Sequence, residues 1–262
     1  MIGKSFFIAD VHGQDDLLAS ALGRIEDVSS GDRVSPRVVF LGDLVDRGIG
    51  TKDVLEAVCM TIRKWPRSVA ILGNHDHLVL EILDGTSSRK KTDFWYNNAG
   101  GFDTCASYDP EGELKPFIRA IRENYPHHVE LLRNASLMER DGAFVACHAG
   151  INGYLPLDRQ DPHDLMWISD GFLDRVDDTM PPVIHGHSIM GDLPVVTENR
   201  ISLDTGAYES GRLTFLCIDR DSRTVEFLQA SRDGSVSTVQ PLVHDRGKGS
   251  LLDRMDSLLE VF

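Results

Sequence analysis

The chain has 262 residues, 41% hydrophobic and 26% charged, so it is long enough to bury a full core and too apolar for a disordered chain. No apolar run reaches the ~20 residues that span a bilayer, which argues against a transmembrane helix. With 27 basic against 41 acidic side chains, the formal charge of −14 disfavours nucleic acid and anionic membranes as partners, because both repel an acidic surface.

The first two thirds of the sequence predict strands that alternate with helices, most clearly up to residue 83. Three short apolar runs have the composition of buried strands, at residues 4–8, 37–41 and 69–72. Each is followed by apolar residues at helical spacing, in helices predicted at residues 17–25, 52–65 and 75–83. This order favours a parallel or mixed sheet with helices packed on it.

Residues 84–126 interrupt this alternation. The segment is rich in Gly, Asn and Asp, and it carries the basic triplet Arg89-Lys90-Lys91 and the aromatic cluster Phe94-Trp95-Tyr96. We expect an inserted helical or loop subdomain that forms a lid, with the basic triplet in a loop able to reach the cleft. A poorly ordered excursion is the alternative, although the aromatic side chains need a surface to pack on.

The later part of the chain is predicted to be rich in strands. Five apolar runs lie close together, at residues 143–148, 182–187, 200–204, 212–218 and 224–229. We expect residues 1–240 to form one catalytic domain and residues 241–262 an amphipathic helix. The apolar stripe of that helix would dock on the chain's own core or support self-association, and its members are Leu251, Leu252, Met255, Leu258, Leu259 and Phe262.

The four cysteines show no C-x-x-C spacing, which argues against a zinc ribbon or a redox pair. We expect them to be buried thiols in a reducing compartment, and the protein to be cytoplasmic. Of the isolated histidines, we expect His127 and His128 to be solvated and His185 to be buried behind the site.

The three predicted N-terminal strands all end in residues that bind metals. The clusters are Asp10-Val11-His12-Gly13, the run from Gly42 to Gly48 (GDLVDRG) and Gly73-Asn74-His75-Asp76. Because the loops at the carboxyl ends of strands form the crevice of an α/β sheet, these clusters should converge. Each cluster alone is more typical of an ordinary loop.

Two further clusters follow later strands, His148 in Cys-His-Ala-Gly and His187 in His-Gly-His-Ser. Imidazole, carboxylate and amide ligands without a thiolate suit manganese, iron or zinc rather than a structural zinc site. Five such clusters, each at a strand end, predict a metal centre.

In order and spacing, these five motifs resemble the phosphoprotein phosphatase family within the calcineurin-like metallophosphoesterases, and most closely its bacterial serine/threonine protein phosphatases. The resemblance covers roughly residues 4–218. It implies an α/β fold of two mixed β-sheets sandwiched by helices. It also implies two divalent metal ions, manganese first with iron or zinc as alternatives, held by Asp10, His12, Asp43, Asn74, His148 and His187.

Within this ligand set, the resemblance makes Asp43 the carboxylate that bridges the two ions. It makes His75 the general acid, Asp46 the carboxylate that orients His75, and Arg47 the side chain that holds the substrate phosphate. Two such ions share a hydroxide that attacks phosphorus directly, so no phosphoenzyme is expected. The paired histidine protonates the leaving group, and the arginine fork fits phosphate.

The leading function is therefore a metal-dependent phosphatase acting on phosphoserine or phosphothreonine in proteins. A hydrolase of dinucleoside polyphosphates such as diadenosine tetraphosphate is the rival enzyme, with a hydrolase of another small phosphoester behind it. A catalytically silent phosphate-binding protein is less favoured. Asp76 after Gly-Asn-His resembles the tetraphosphatases, where protein phosphatases commonly have glutamate. Ser169 stands where bacterial members often have a second phosphate-binding arginine.

Overall fold

Twelve strands form two six-stranded mixed sheets in the described part of the chain, which comprises residues 3–173, 180–245, 247 and 249–260 of a computed structural model. The strands are β1 (Lys4–Ile8), β2 (Arg37–Phe40), β3 (Val69–Ala70), β4 (Met138–Asp141), β5 (Phe144–Cys147), β6 (Val183–His185), β7 (Val195–Val196), β8 (Arg200–Ser202), β9 (Arg212–Asp219), β10 (Thr224–Ser231), β11 (Val236–Val239) and β12 (Leu242–Val243). The helices are α1 (Asp15–Ser29), α2 (Thr51–Lys64), α3 (Asn74–Asp84), α4 (Arg89–Asn98), α5 (Gly101–Tyr108), α6 (Leu114–Asn124), α7 (Pro126–Arg133), α8 (Pro162–Trp167), α9 (Ala207–Ser210) and α10 (Met255–Leu259).

Both sheets mix parallel and antiparallel pairs. The first has the order β11-β10-β9-β1-β2-β3, with β1, β2 and β3 parallel and the other neighbours antiparallel. The second has the order β12-β7-β8-β6-β5-β4, with β5, β6 and β8 parallel. The carboxyl ends of β1, β2 and β3 therefore meet at one edge, as the alternating pattern predicts.

The two sheets pack face to face, with helices on their outer faces. Alternate residues of β1 point to opposite sides. Phe7 belongs to the core cluster that includes Ile184 and Ile201 of the second sheet, whereas Phe6 belongs to the cluster of helical side chains. Leu165 of α8 packs in a third cluster against the second sheet. This architecture confirms the predicted fold class.

The segment at residues 84–126 is helical rather than a poorly ordered excursion. It contains α4, α5 and α6, and its side chains Trp95, Cys105 and Phe117 are buried in the same core cluster as α1, α2 and α3. The basic triplet is not in a loop over the cleft, because it forms the first turn of α4, where Lys91 pairs with Glu81. A lid role for the segment stays a prediction.

The C-terminal segment is less helical than predicted. Residues 242–243 form β12, and the helical part is a 3₁₀ turn at Leu252–Arg254 followed by the five residues of α10. Leu251, Met255 and Leu259 are buried in the core between the sheets, so these side chains of the apolar stripe pack on their own chain and are not free for self-association. Phe262 lies outside the described residues.

The expectation that His127 and His128 are solvated is wrong for His128, whereas the side chain of His127 is 37% exposed. Both lie in the first turn of α7, and the side chain of His128 is fully buried. The reason is that α7 packs against α2, where Glu56 is hydrogen-bonded to both rings.

None of the helices in the described ranges is long and apolar enough to cross a membrane.

Candidate metal centre

A cleft of about 330 Å³ lies at the ends of the strands. Asp10 and His12 follow β1, residues 43–47 follow β2, and His187 follows β6. Seven of the nine predicted site residues line the cleft, and the other two, Asp46 and His148, are fully buried next to residues that line it. The fold therefore brings the five sequence motifs together.

The backbone at this site is in an uncommon conformation. Six residues other than glycine have a positive φ in the described part of the chain, and five of them are predicted site residues: His12, Asp43, Asp46, Arg47 and His187. Left-handed backbone is costly for side chains with a Cβ and concentrates at functional sites. The conformation thus indicates function independently of residue type.

Asp43 lies between two groups of possible metal ligands. Its Oδ2 is 3.5 Å from His12 Nε2, and its Oδ1 is 3.5 Å from His148 Nε2. The donor atoms of Asp43, His12 and His75 lie within 4.8 Å of one another, as do those of Asp43, His148 and His187. One carboxylate is therefore shared by both groups, which is the arrangement expected of a bridging ligand.

Asn74 and Asp10 connect the second group to the first. Asn74 Oδ1 lies 2.9 Å from His148 Nε2 and 3.1 Å from His187 Nδ1. The backbone N–H of His187 donates to both carboxylate oxygens of Asp10 at 3.1 Å. The side chains of all six predicted ligands thus lie in one continuous cluster.

Backbone carbonyls fix the orientation of two imidazoles. His12 Nδ1 donates to Val45 O and His148 Nδ1 donates to Leu41 O, both at 2.8 Å. A carbonyl oxygen only accepts, so Nδ1 carries the proton and the Nε2 lone pair is directed at Asp43. A second ring nitrogen held in this way is typical of metal-binding histidines.

The protonation states also fit a metal centre. Burial lowers the pKa of His12 to about 3 and that of His187 to about 4, so both rings are neutral ligands at pH 7. Burial and the charges of Asp204 and Asp43 raise the pKa of Asp10. The carboxylates of Asp10, Asp43 and Asp204 are buried close together, so their negative charges need cations nearby. Neutral imidazoles together with carboxylate and amide oxygens are suitable ligands for divalent ions.

His75 and Asp46 form a buried hydrogen-bonded pair beside this cluster. His75 Nδ1 lies 2.7 Å from Asp46 Oδ2, which leaves Nε2 to face the cleft. Burial alone would lower the pKa of His75, but the carboxylates of Asp43 and Asp46 raise it above its usual value. The ring is therefore suited to holding a proton at Nε2.

Arg47 is the one cation among the described residues that line the cleft. Its guanidinium lies over the ring of Tyr208, 4.5 Å from the ring centroid, and the same ring contacts His12 edge-on at 5.3 Å. Tyr208 follows β8 at the start of α9. The contact restricts an exposed arginine to the mouth of the cleft.

Asp204 and Tyr208 were not predicted as residues of this site, whereas Asp76 was already part of the third sequence motif. Asp204 lines the cleft, and burial raises its pKa to about 7. Its position directly after an apolar strand was the same signal that identified Asp10. Asp76 is buried and accepts backbone N–H bonds from Leu44, Val45 and Gly73, so it ties two site loops together. Ser169, the position at which bacterial members often have a second phosphate-binding arginine, is not among the residues that line the cleft, whereas Trp167 is.

Comparisons with known proteins agree with this geometry. The sequence model of the calcineurin-like phosphoesterase family matches residues 4–214. Serine/threonine-protein phosphatase 2 of Salmonella typhimurium is 24% identical over 219 residues, which cover 80% of this chain and 91% of that protein. The asymmetrical bis(5'-nucleosyl)-tetraphosphatase PrpE of Anoxybacillus flavithermus is 25% identical over 229 residues, covering 80% of this chain and 88% of that protein.

The fold is shared with solved structures as well. The cold-active protein-tyrosine phosphatase of a Shewanella species has a TM-score of 0.53 at 17% identity, over 92% of this chain and 81% of that one. The family match contains all six predicted metal ligands and most of both sheets. This chain therefore belongs to the calcineurin-like phosphoesterase family and is, as a member of it, a metal-dependent phosphatase.

Proposed function

We propose that this phosphatase hydrolyses phosphomonoesters, with phosphoserine and phosphothreonine side chains of proteins as its substrates. The observation that carries the proposal is the charge of the cleft, where Arg47 is the single cation among the described lining residues. One arginine and two divalent ions match the charge of one phosphoryl group. A tetraphosphate chain would add charges that no described lining side chain neutralises.

Six side chains would hold the two ions, with Asp43 shared between them. Such ions lower the pKa of a water nucleophile and neutralise charge on the phosphoryl oxygens. We propose manganese as the metal, with iron or zinc as alternatives, because three of the six ligands (Asp10, Asp43 and Asn74) would supply oxygen, the donor that Mn²⁺ favours.

The chain's own residues would bind the substrate and protonate the leaving group. Arg47, held by Tyr208, presents a planar fork to two phosphoryl oxygens. His75 Nε2 would donate its proton to the departing serine or threonine oxygen, and Asp46 would stabilise the charged ring before transfer. The buried carboxylate also fixes which nitrogen faces the substrate.

The first test is metal-dependent turnover of p-nitrophenyl phosphate. We expect activity with Mn²⁺, loss with a chelator, and recovery on adding the metal back. Asp43→Asn should remove most activity and lower the bound metal measured by mass spectrometry, because one carboxylate serves both ions. Near-wild-type turnover of Asp43→Asn would contradict the shared-ligand assignment.

The second test separates substrate classes by kcat/KM. We expect phosphoserine and phosphothreonine peptides to exceed both phosphotyrosine peptides and diadenosine tetraphosphate. The unphosphorylated peptide serves as a competitor that reports contacts outside the phosphate. A higher value for the tetraphosphate would overturn the proposal and leave the family assignment intact.

Hydrolysis of a dinucleoside tetraphosphate is the second candidate function, and one observation favours it. Phe94 and Trp167 line the cleft although their side chains are 60% and 39% exposed. Flat exposed rings beside a phosphate site are surfaces on which nucleobases stack. If bases stack there, Phe94→Ala should raise KM for diadenosine tetraphosphate and leave KM for p-nitrophenyl phosphate unchanged.

Cytoplasmic location is retained as part of the proposal. Its support is that all four cysteines are free thiols, as expected in a reducing compartment, although Cys59 is half-buried rather than buried like the other three. Fractionation of the native host with an antibody against the chain would test it.

A further inference from the structure

Three metal-binding side chains meet between α2 and α7, apart from the residues that line the cleft. Nε2 of His127 lies 2.8 Å from Glu56 Oε2, and Nε2 of His128 lies 3.1 Å from the same oxygen. The three donor atoms all lie within 4.8 Å of one another. Two imidazoles from adjacent residues thus converge on one carboxylate.

The ring of His128 is held in place from behind. Its Nδ1 lies 2.6 Å from the hydroxyl of Tyr108, and the ring of Tyr125 stacks on it at 5.3 Å with an interplanar angle of 21°. The side chain is fully buried, and burial lowers its pKa. A neutral ring whose other nitrogen has a fixed partner is typical of a metal ligand.

The outer side of the cluster is open to solvent. The side chains of His127 and Glu56 are 37% and 42% exposed, and His127 lines a surface cavity of about 370 Å³. Cys59 lines the same cavity, but burial raises the pKa of its thiol to about 11, so it is no thiolate ligand at pH 7. An ion could therefore enter from this side and keep a water molecule.

We propose that Glu56, His127 and His128 form a third metal site, which binds Zn²⁺ with water as its fourth ligand. Two histidines and one glutamate with an open position are a known ligand set for zinc. Tetrahedral ligands at ~2.0–2.1 Å from zinc lie roughly 3.3–3.4 Å from one another. The Glu56 oxygen lies 2.8 and 3.1 Å from the two nitrogens, so outward shifts of a few tenths of an ångström would admit the ion.

The competing explanation is a hydrogen-bonded clamp without metal. Both Nε2 atoms would then carry protons and donate to Glu56, and the Tyr108 hydroxyl would donate to His128 Nδ1. These hydrogen bonds would hold α2 against α7 as well as a bound metal ion would. Only the affinity for an ion separates the two, so the test must measure bound metal.

The experiment is a zinc-binding stoichiometry on the full chain, compared across three variants. Glu56→Gln keeps the shape of the side chain and its hydrogen bonds but is a poor ligand, and His127→Asn removes one imidazole at a half-exposed position. The control is His244→Asn, which removes an exposed histidine elsewhere. We expect wild type and His244→Asn to bind one more zinc equivalent than the other two variants.

Turnover of p-nitrophenyl phosphate with Mn²⁺ checks that the variants are folded, and it should match wild type in all three. A crystal grown with zinc should give an anomalous peak between the three ligand atoms in wild type that is absent in Glu56→Gln. Equal stoichiometry in all four proteins, or a wild-type crystal without this peak, would overturn the proposal and establish the clamp.

Discussion

The indole N–H of Trp95 donates to both carboxylate oxygens of Asp46, at 3.0 and 2.9 Å. The hydroxyl of Thr104 donates to the same carboxylate at 2.7 Å, and its oxygen accepts the backbone N–H of Asp46 at 2.9 Å. Helices α4 and α5 therefore hold the carboxylate that orients His75. The inserted segment supports the proposed general acid from behind.

Trp95→Phe should lower kcat by about tenfold to a hundredfold, because charge-assisted hydrogen bonds are worth ~1.5–3 kcal/mol. Burial raises the pKa of Asp46, and the bonds from His75, Thr104 and Trp95 lower it. Without the indole, the pKa of Asp46 rises further, so the acidic limb of the pH profile of kcat should move to higher pH. Trp65→Phe, which shortens a tryptophan buried elsewhere in the same core cluster, controls for packing loss. An equal fall in both variants would contradict the orienting role.

His75→Asn should slow turnover while the metal content stays near that of wild type. The ring is assigned to proton donation, and removing a general acid typically costs 10²–10⁴-fold. The effect should be smaller for p-nitrophenyl phosphate than for phosphoserine peptides, because nitrophenolate leaves without a proton. Metal analysis of the purified variant provides the check, since loss of an ion would make His75 a ligand.

Tyr208→Leu should raise KM about two- to fivefold with little change in kcat, because a cation–π contact at an exposed site is worth ~0.5–1 kcal/mol. The ring restricts Arg47 at 4.5 Å, and leucine offers no such face. Tyr208→Phe keeps the ring and should behave as wild type. If the phenylalanine variant were as impaired as the leucine variant, the hydroxyl and not the ring would matter.

Leu259→Ala should destabilise the fold by ~2–5 kcal/mol, because the side chain is 2% exposed in the core between the sheets. Leu258→Ala, at a half-buried position on the same short helix, should cost much less. Thermal unfolding of both variants measures the difference. Equal melting temperatures would mean that α10 does not dock as the structure shows.

Much of the fold followed from local signals in the sequence. The apolar runs at β1, β2 and β3 are bounded by polar and glycine-rich loops, so their position and type were clear. Strands β7 and β12 have two residues each, and β4 is largely polar, so no periodic pattern existed to reveal them. Short strands are fixed by pairing with neighbours rather than by their own composition.

The convergence of the predicted ligands was also accessible from sequence, because each of the five motifs follows an apolar strand. The supporting residues were not. Trp95 and Tyr208 reach the site from positions 49 and 161 residues after Asp46 and Arg47. Glu56 likewise meets His127 across 71 positions. Contacts between residues so far apart in the sequence depend on tertiary packing, which a local sequence pattern cannot reveal.

Left-handed backbone at five site residues has a consequence for engineering. Such conformations cost on the order of 1–3 kcal/mol each, and glycine adopts them freely. A library selected for heat resistance alone would therefore accumulate glycine at Arg47, where φ is 64° and the side chain is exposed. The survivors would melt later and would lack the arginine proposed to hold the substrate phosphate. Stabilising substitutions that preserve the activity of this enzyme therefore have to be sought outside the loops at the strand ends.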